Sequence, residues 1–178
     1  MKKLLILSMF LFGMIQSFAQ DNFDISTLRI GPFTIGMKDK AAEQFTKSKL
    51  VVYNGPNEYN KKNKVNYNGE IIGITIMETW DDAGEKLRGY QIYSLSTTSK
   101  KFRTKSGMGV GSTKEELLDA YKNYPNFSVN QMWDEKTEKL SSTMSNFVLT
   151  DNDAGTNLSF TLINNVVTEV NVYMNEGC

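Results

Sequence analysis

Four acids, Glu78, Asp81, Asp82 and Glu85, flank Trp80. Carboxylates beside an aromatic ring suggest a carbohydrate hydrolase, in which one acid protonates the leaving oxygen while a second attacks or activates water. That reaction needs a convergent pair, whereas acids at strand ends and turns collect there because they are solvated. The cluster therefore reads as a turn, with a carboxylate-dependent extracellular hydrolase as an alternative. Residues 151–157, DNDAGTN, offer a second oxygen-rich stretch in Asp151, Asp153 and Asn157. An EF-hand loop needs glycine sixth and glutamate twelfth. Here Gly155 stands fifth and Leu162 twelfth, and the segment reads as an inter-strand turn. A small-ligand or calcium-binding envelope protein using this turn is the other alternative.

Residues 105–121, KSGMGVGSTKEELLDAY, look partly like a phosphate loop. The P-loop pattern places lysine before Ser or Thr and follows a buried strand. In this chain Lys114 follows Ser112 and Thr113, and the preceding residues are polar. The glycines at 107, 109 and 111 also miss the dinucleotide spacing. Ser112 with Glu115 three residues later reads as a capping box, which makes the stretch a helix entry. No cofactor is expected. The chain has no histidine, which removes Ser-His-Asp, Cys-His and HExxH chemistry. Its one cysteine, Cys178, excludes an intramolecular disulfide and zinc sites built on several cysteines. Any catalysis would have to use carboxylates, Lys, Tyr or Ser, so a binding function is expected.

Residues 1–19 combine Lys2 and Lys3, an apolar run and a small-residue ending at Ala19, the pattern of a secretory signal peptide. The run is too short for a membrane span. An exported protein is expected, periplasmic or secreted, with no transmembrane segment. The balance of 20 basic against 20 acidic residues gives no nucleic-acid footprint.

The elements that position these residues are expected in two similar halves. Residues 33–45 and 108–120 share an apolar-Gly pattern before a charged amphipathic run, with Gly36 matching Gly111, 75 positions on. Helices are expected over 38–47 and 113–121, the second with Leu117, Leu118 and Tyr121 on one side. Strands are expected over 64–67, 70–80, 88–98, 143–150, 157–163 and 166–174, from their period-2 alternation. Asn164-Asn165 supplies a hairpin turn. The fold class read from this is α+β: two tandem units, each a short helix followed by a three- or four-stranded antiparallel sheet. Their bounds are 20–98 and 107–178, joined by a linker at 99–106 into one joint domain.

This order, with Ile35-Gly36 and Val110-Gly111 each opening a helix, resembles the β-lactamase inhibitory protein family. It is also similar to outer-membrane assembly lipoproteins of the BamE type, which carry one such unit. The resemblance implies an exported protein-binding module. The lipidated cysteine of the assembly proteins and the cysteine pairs of the inhibitor are both missing here, so lipid anchoring and disulfides are not carried over. Gly36, Gly111, Ser112 and Glu115 are assigned to the helix starts. Trp80, at a strand end, and Trp133 with Met132, in a polar loop at 130–139, are the expected anchors for a protein partner. An open sheet face would present them.

Overall fold

A computed structural model describes residues 22–53 and 61–176. The expected signal peptide and Cys178 lie outside these residues. The elements are β1 (Asp24–Ser26), β2 (Arg29–Ile30), β3 (Phe33–Thr34), α1 (Asp39–Thr46), β4 (Asn63–Tyr67), β5 (Glu70–Trp80), β6 (Leu87–Thr97) and β7 (Arg103–Thr104). They continue with α2 (Lys114–Tyr121), β8 (Phe127–Asp134), β9 (Lys139–Asp151), β10 (Thr156–Ile163) and β11 (Val166–Met174).

Alternation along the long strands gives the sheet two unlike faces. One cross-strand row runs Asn63, Ile74, Leu95, Val172, Leu158, Leu149, Phe127 and borders the core. The adjacent row runs Lys64, Gly73, Ser96, Asn171, Ser159, Val148, Ser128 on the opposite face. Both helices and a small mixed sheet, ordered β3-β2-β1-β7, pack on the apolar side. Phe33, Phe102, Leu117 and Tyr121 are buried there with the sheet's Ile, Leu, Val and Phe side chains. Rings at Phe23, Phe33, Phe102 and Tyr67 meet edge to face and fasten the small sheet to the end of β4.

The expected fold class is overturned. Strand makes up 51% of the structure and helix 11%, and the long strands form one seven-stranded antiparallel sheet ordered β4-β5-β6-β11-β10-β9-β8. The chain is not two helix-plus-sheet units. The physical reason lies in β6 and β11, each of which would leave an unpaired edge if its half stood alone. They pair with each other instead, from Ser94 with Tyr173 to Thr97 with Val170. Residues 99–106, read as a linker, carry β7 in parallel with β1 and bury Phe102.

What the two halves share is local bonding. Gly36 N donates to Ile92 O and Ile92 N to Met37 O; 75 residues on, Gly111 N donates to Val167 O and Val167 N to Ser112 O. Both glycines have positive φ, 78° and 92°, which side-chain-bearing residues rarely adopt. Asn164 and Asn165 both have positive φ, as a two-residue hairpin turn requires.

The helix starts differ from expectation by one residue. The capping box of α2 is built by Thr113 and Glu116, not by Ser112 and Glu115. Thr113 Oγ1 accepts from the Glu116 amide at 3.2 Å, and the Glu116 carboxylate accepts from the Thr113 amide at 2.7 Å. Ser112 is buried one position earlier, where its Oγ accepts from the Gly109 amide at 3.3 Å. Glu115 is a first-turn acid, placed favourably for the helix dipole. α1 begins at Lys38 without any side-chain cap. Leu117 and Tyr121 face the core, but Leu118 lies exposed.

Candidate functional site

Trp133 sits in a strand, not in a loop. Residues 127–133, FSVNQMW, lack charge, Gly and Pro, and they form most of β8 at one edge of the large sheet. β8 pairs with β9 from Phe127 with Leu149 to Gln131 with Ser145. The register then jumps, because Ser141 Oγ draws in the amides of Thr143 and Met144. Beyond the jump the strands continue as a hairpin in which Trp133 faces Leu140, 58% and 60% exposed. The neighbouring Met132 is half-buried. Since the Thr150 amide bonds to Asn126 O, antiparallel alternation turns the amides and carbonyls of Phe127, Val129 and Gln131 away from β9. The β8 edge therefore offers a row of backbone donors and acceptors with an apolar tip.

Trp80 closes a second hairpin, in which it pairs with Leu87; the two are 48% and 39% exposed. Asp81 secures the turn, its Oδ1 accepting from the Glu85 amide at 2.8 Å and the Lys86 amide at 3.2 Å. These backbone donors, Glu85 first, hold the Asp81 carboxyl below its ordinary range. At the other hairpin Asp134 does a similar job, accepting from the Lys136 amide and the Thr137 hydroxyl, each at 3.0 Å. Sequence reasoning missed the signal common to both places. Trp80 opens WDDAGEKL and Trp133 opens WDEKTEKL, identical in five of eight residues, with Leu87 and Leu140 as their ends. It also missed the strand character of residues 130–134, because Asn and Gln obscure the alternation.

The two tips do not converge. β5 and β8 are five strand spacings apart, about 24 Å along the sheet, and the hairpins project from opposite ends of it. The face between them is not apolar: Ser96, Asn171, Ser159, Asn157, Thr161 and Thr75 cover its centre. Lys62 lies across this face where Gly73 leaves room, and its Nζ donates to Ser96 Oγ at 2.9 Å, Glu169 Oε1 at 2.9 Å and Asn171 Oδ1 at 3.5 Å. A Ser–Lys pair can activate a serine when the amine has a free lone pair. Here the ammonium donates to all three neighbours, so the group works as a clamp.

Within the 151–157 turn the side-chain oxygens of Asp151 and Asn157 are bonded inside the fold. Asp151 accepts from the Ala154 amide at 3.0 Å and the Thr27 hydroxyl at 2.8 Å, and these bonds, the amide first, lower its carboxyl's pKa. Asn157 Oδ1 accepts from the Thr150 hydroxyl at 2.8 Å. Among the described residues no three His, Cys, Asp or Glu side chains group as a metal ion would require, and no helix is long and apolar enough to cross a membrane. No protein-family model, curated protein or solved structure matches the chain.

Proposed function

We propose that this is an exported, non-enzymatic protein-binding module whose partner contributes an extended strand to the β8 edge. The observation that carries the reading is that edge itself. It runs eight residues, is uncharged from Phe127 to Trp133, and ends in an exposed Trp–Leu pair. Natural sheets shield such edges with lysine, proline or a bulge, because unpaired backbone groups recruit other strands; here Phe127 to Gln131 has neither lysine nor proline, and the register shift comes only after Gln131. Strand addition takes its affinity from main-chain hydrogen bonds and its selectivity from side-chain anchors. Trp133, Leu140 and Met132 supply the anchors; Asn130 and Ser128 keep the outer row polar. A neutral, apolar strand is the occupant that fits, since the edge has no charge to pair. Export follows from the residue 1–19 pattern. A binding role also accords with a chain that has no histidine and whose Ser–Lys and Asp151 groups are already bonded within the fold.

The test is selection of peptides from a random display library on the purified protein, followed by amide-exchange mapping of the winners. Neutral extended peptides should protect β8, and Gln131→Lys should abolish their binding. Peptides that protect another surface, or that tolerate Gln131→Lys, would sink the reading. So would self-association of the free chain through this edge in sedimentation, since the occupant would then be a second copy.

A further inference from the structure

Beside the other tip the sheet opens into a cleft of about 460 Å³. It arises because β4 begins at Asn63, opposite Ile74, and leaves residues 75–80 of β5 without a β4 neighbour. The Asn63 side chain holds the preceding chain alongside, accepting from the Val51 amide at 2.8 Å and donating to Val51 O at 2.9 Å. Tyr53 is thereby brought into the lining with Met77, Trp80 and Tyr93, a bulge residue of β6. Two carboxylates, Glu78 and Glu176, complete it, and neither Lys nor Arg is among the lining residues. The Glu78 carboxylate makes no ion pair or hydrogen bond among the described residues.

We propose that this cleft binds an organic ammonium cation carrying a short apolar stem. Aromatic faces attract cations through the ring quadrupole, and the attraction grows when the cation is partly withdrawn from water. Three such rings, a polarizable thioether and two carboxylates form a lining suited to that charge. The chain already contains one instance of the chemistry: the Lys61 ammonium stands 5.8 Å from the centroid of the Tyr53 ring. Burial, and then the Glu176 carboxylate bonded to its hydroxyl, keep the Tyr93 phenol above its ordinary pKa and so neutral over the physiological range. The inference is independent of the β8 reading, and either can hold without the other.

The chain has two tryptophans, so Trp133→Phe leaves Trp80 as the sole indole reporter. Its emission is titrated with choline, with n-butylammonium as the head of a lysine side chain, and with 3,3-dimethylbutan-1-ol, the uncharged isostere of choline. One or both cations should give a saturable change at about tenfold lower concentration than the alcohol, in keeping with cation–π strengths. Glu78→Gln should weaken the cation severalfold and leave the alcohol unaffected. The tighter of the two cations assigns the source, a free quaternary amine or a lysine presented by a polypeptide. Equal response to alcohol and cations, no saturable response to either cation, or indifference to Glu78→Gln would overturn the proposal.

Discussion

WDDAGEKL and WDEKTEKL fold into similar hairpin tips at two corners of one sheet. In both a Trp–Leu pair stands exposed and the following aspartate fastens the turn. The surroundings differ. The Trp80 tip adjoins a cleft with two carboxylates, beside a strand whose β4 partner has stopped short. The Trp133 tip caps an uncharged edge whose register with β9 shifts after Gln131. The octapeptide is thus a device for holding an indole out from a sheet end, and what that indole can recognise is set by its neighbours. In the proposed readings Trp80 meets a cation and Trp133 a strand.

The sharpest way to break this comparison is to remove one indole at a time. Trp133→Ala should cost selected β8 peptides about 2 kcal/mol or more, as for a central anchor. Trp80→Ala should leave peptide affinity within about twofold and remove the choline response. Equal losses from both variants, by isothermal titration, would show that the corners are not distinct. A substitution distant from both tips separates loss of fold from loss of surface. Thr113→Ala removes the observed cap of α2 and should cost about 1 kcal/mol in urea denaturation, with both ligand responses intact at low denaturant.

Exchanging the turns is a milder perturbation. Replacing residues 81–86 by the sequence of 134–139 should shift stability by less than about 1 kcal/mol and leave choline at the Trp80 corner. If peptide binding followed the transplanted turn, the tip and not its surroundings would determine recognition. The smallest effect is with acid. Asp81 has a folded pKa below its ordinary 3.8, so its contribution is fully present above the unfolded value. It is lost as pH falls through the lowered folded value. Trp80 emission in Trp133→Phe should therefore be flat from neutral pH to about 4 and change below it, and Asp81→Asn should remove that acid transition.

Much of the strand content was legible in the sequence, since alternation of Ile72, Ile74 and Ile76 marks β5 and the Asn164-Asn165 turn fixes β10 against β11. The union of the halves was not, because the pairing of Ser96 with Asn171 is long-range and has no local signature. β1, β2, β3 and β7, of two or three residues each, are held by tertiary contacts such as Phe23 with Phe102 and not by propensity. The cap of α2 was displaced by one residue because Ser112 and Thr113 are both competent caps with a glutamate three residues on. The Ser112 hydroxyl is taken up by the Gly109 amide and by Arg103 Nη1, which leaves Thr113 as the cap. Trp80 and Trp133 could be found as exposed aromatics, and the shared octapeptide ties Leu87 and Leu140 to them, but Tyr53 and Glu176 join Trp80 only through chain path.

The central claim is that β8 is an unoccupied edge awaiting a strand, and amide exchange along Phe127–Gln131 tests it directly. In the free protein, at concentrations where it sediments as a monomer, the Val129 and Gln131 amides should exchange quickly while Ser128 and Asn130 are protected by β9. A bound neutral peptide should slow Val129 and Gln131 selectively. Outward amides already protected in the free monomer, or left fast when peptide is bound, would contradict the account.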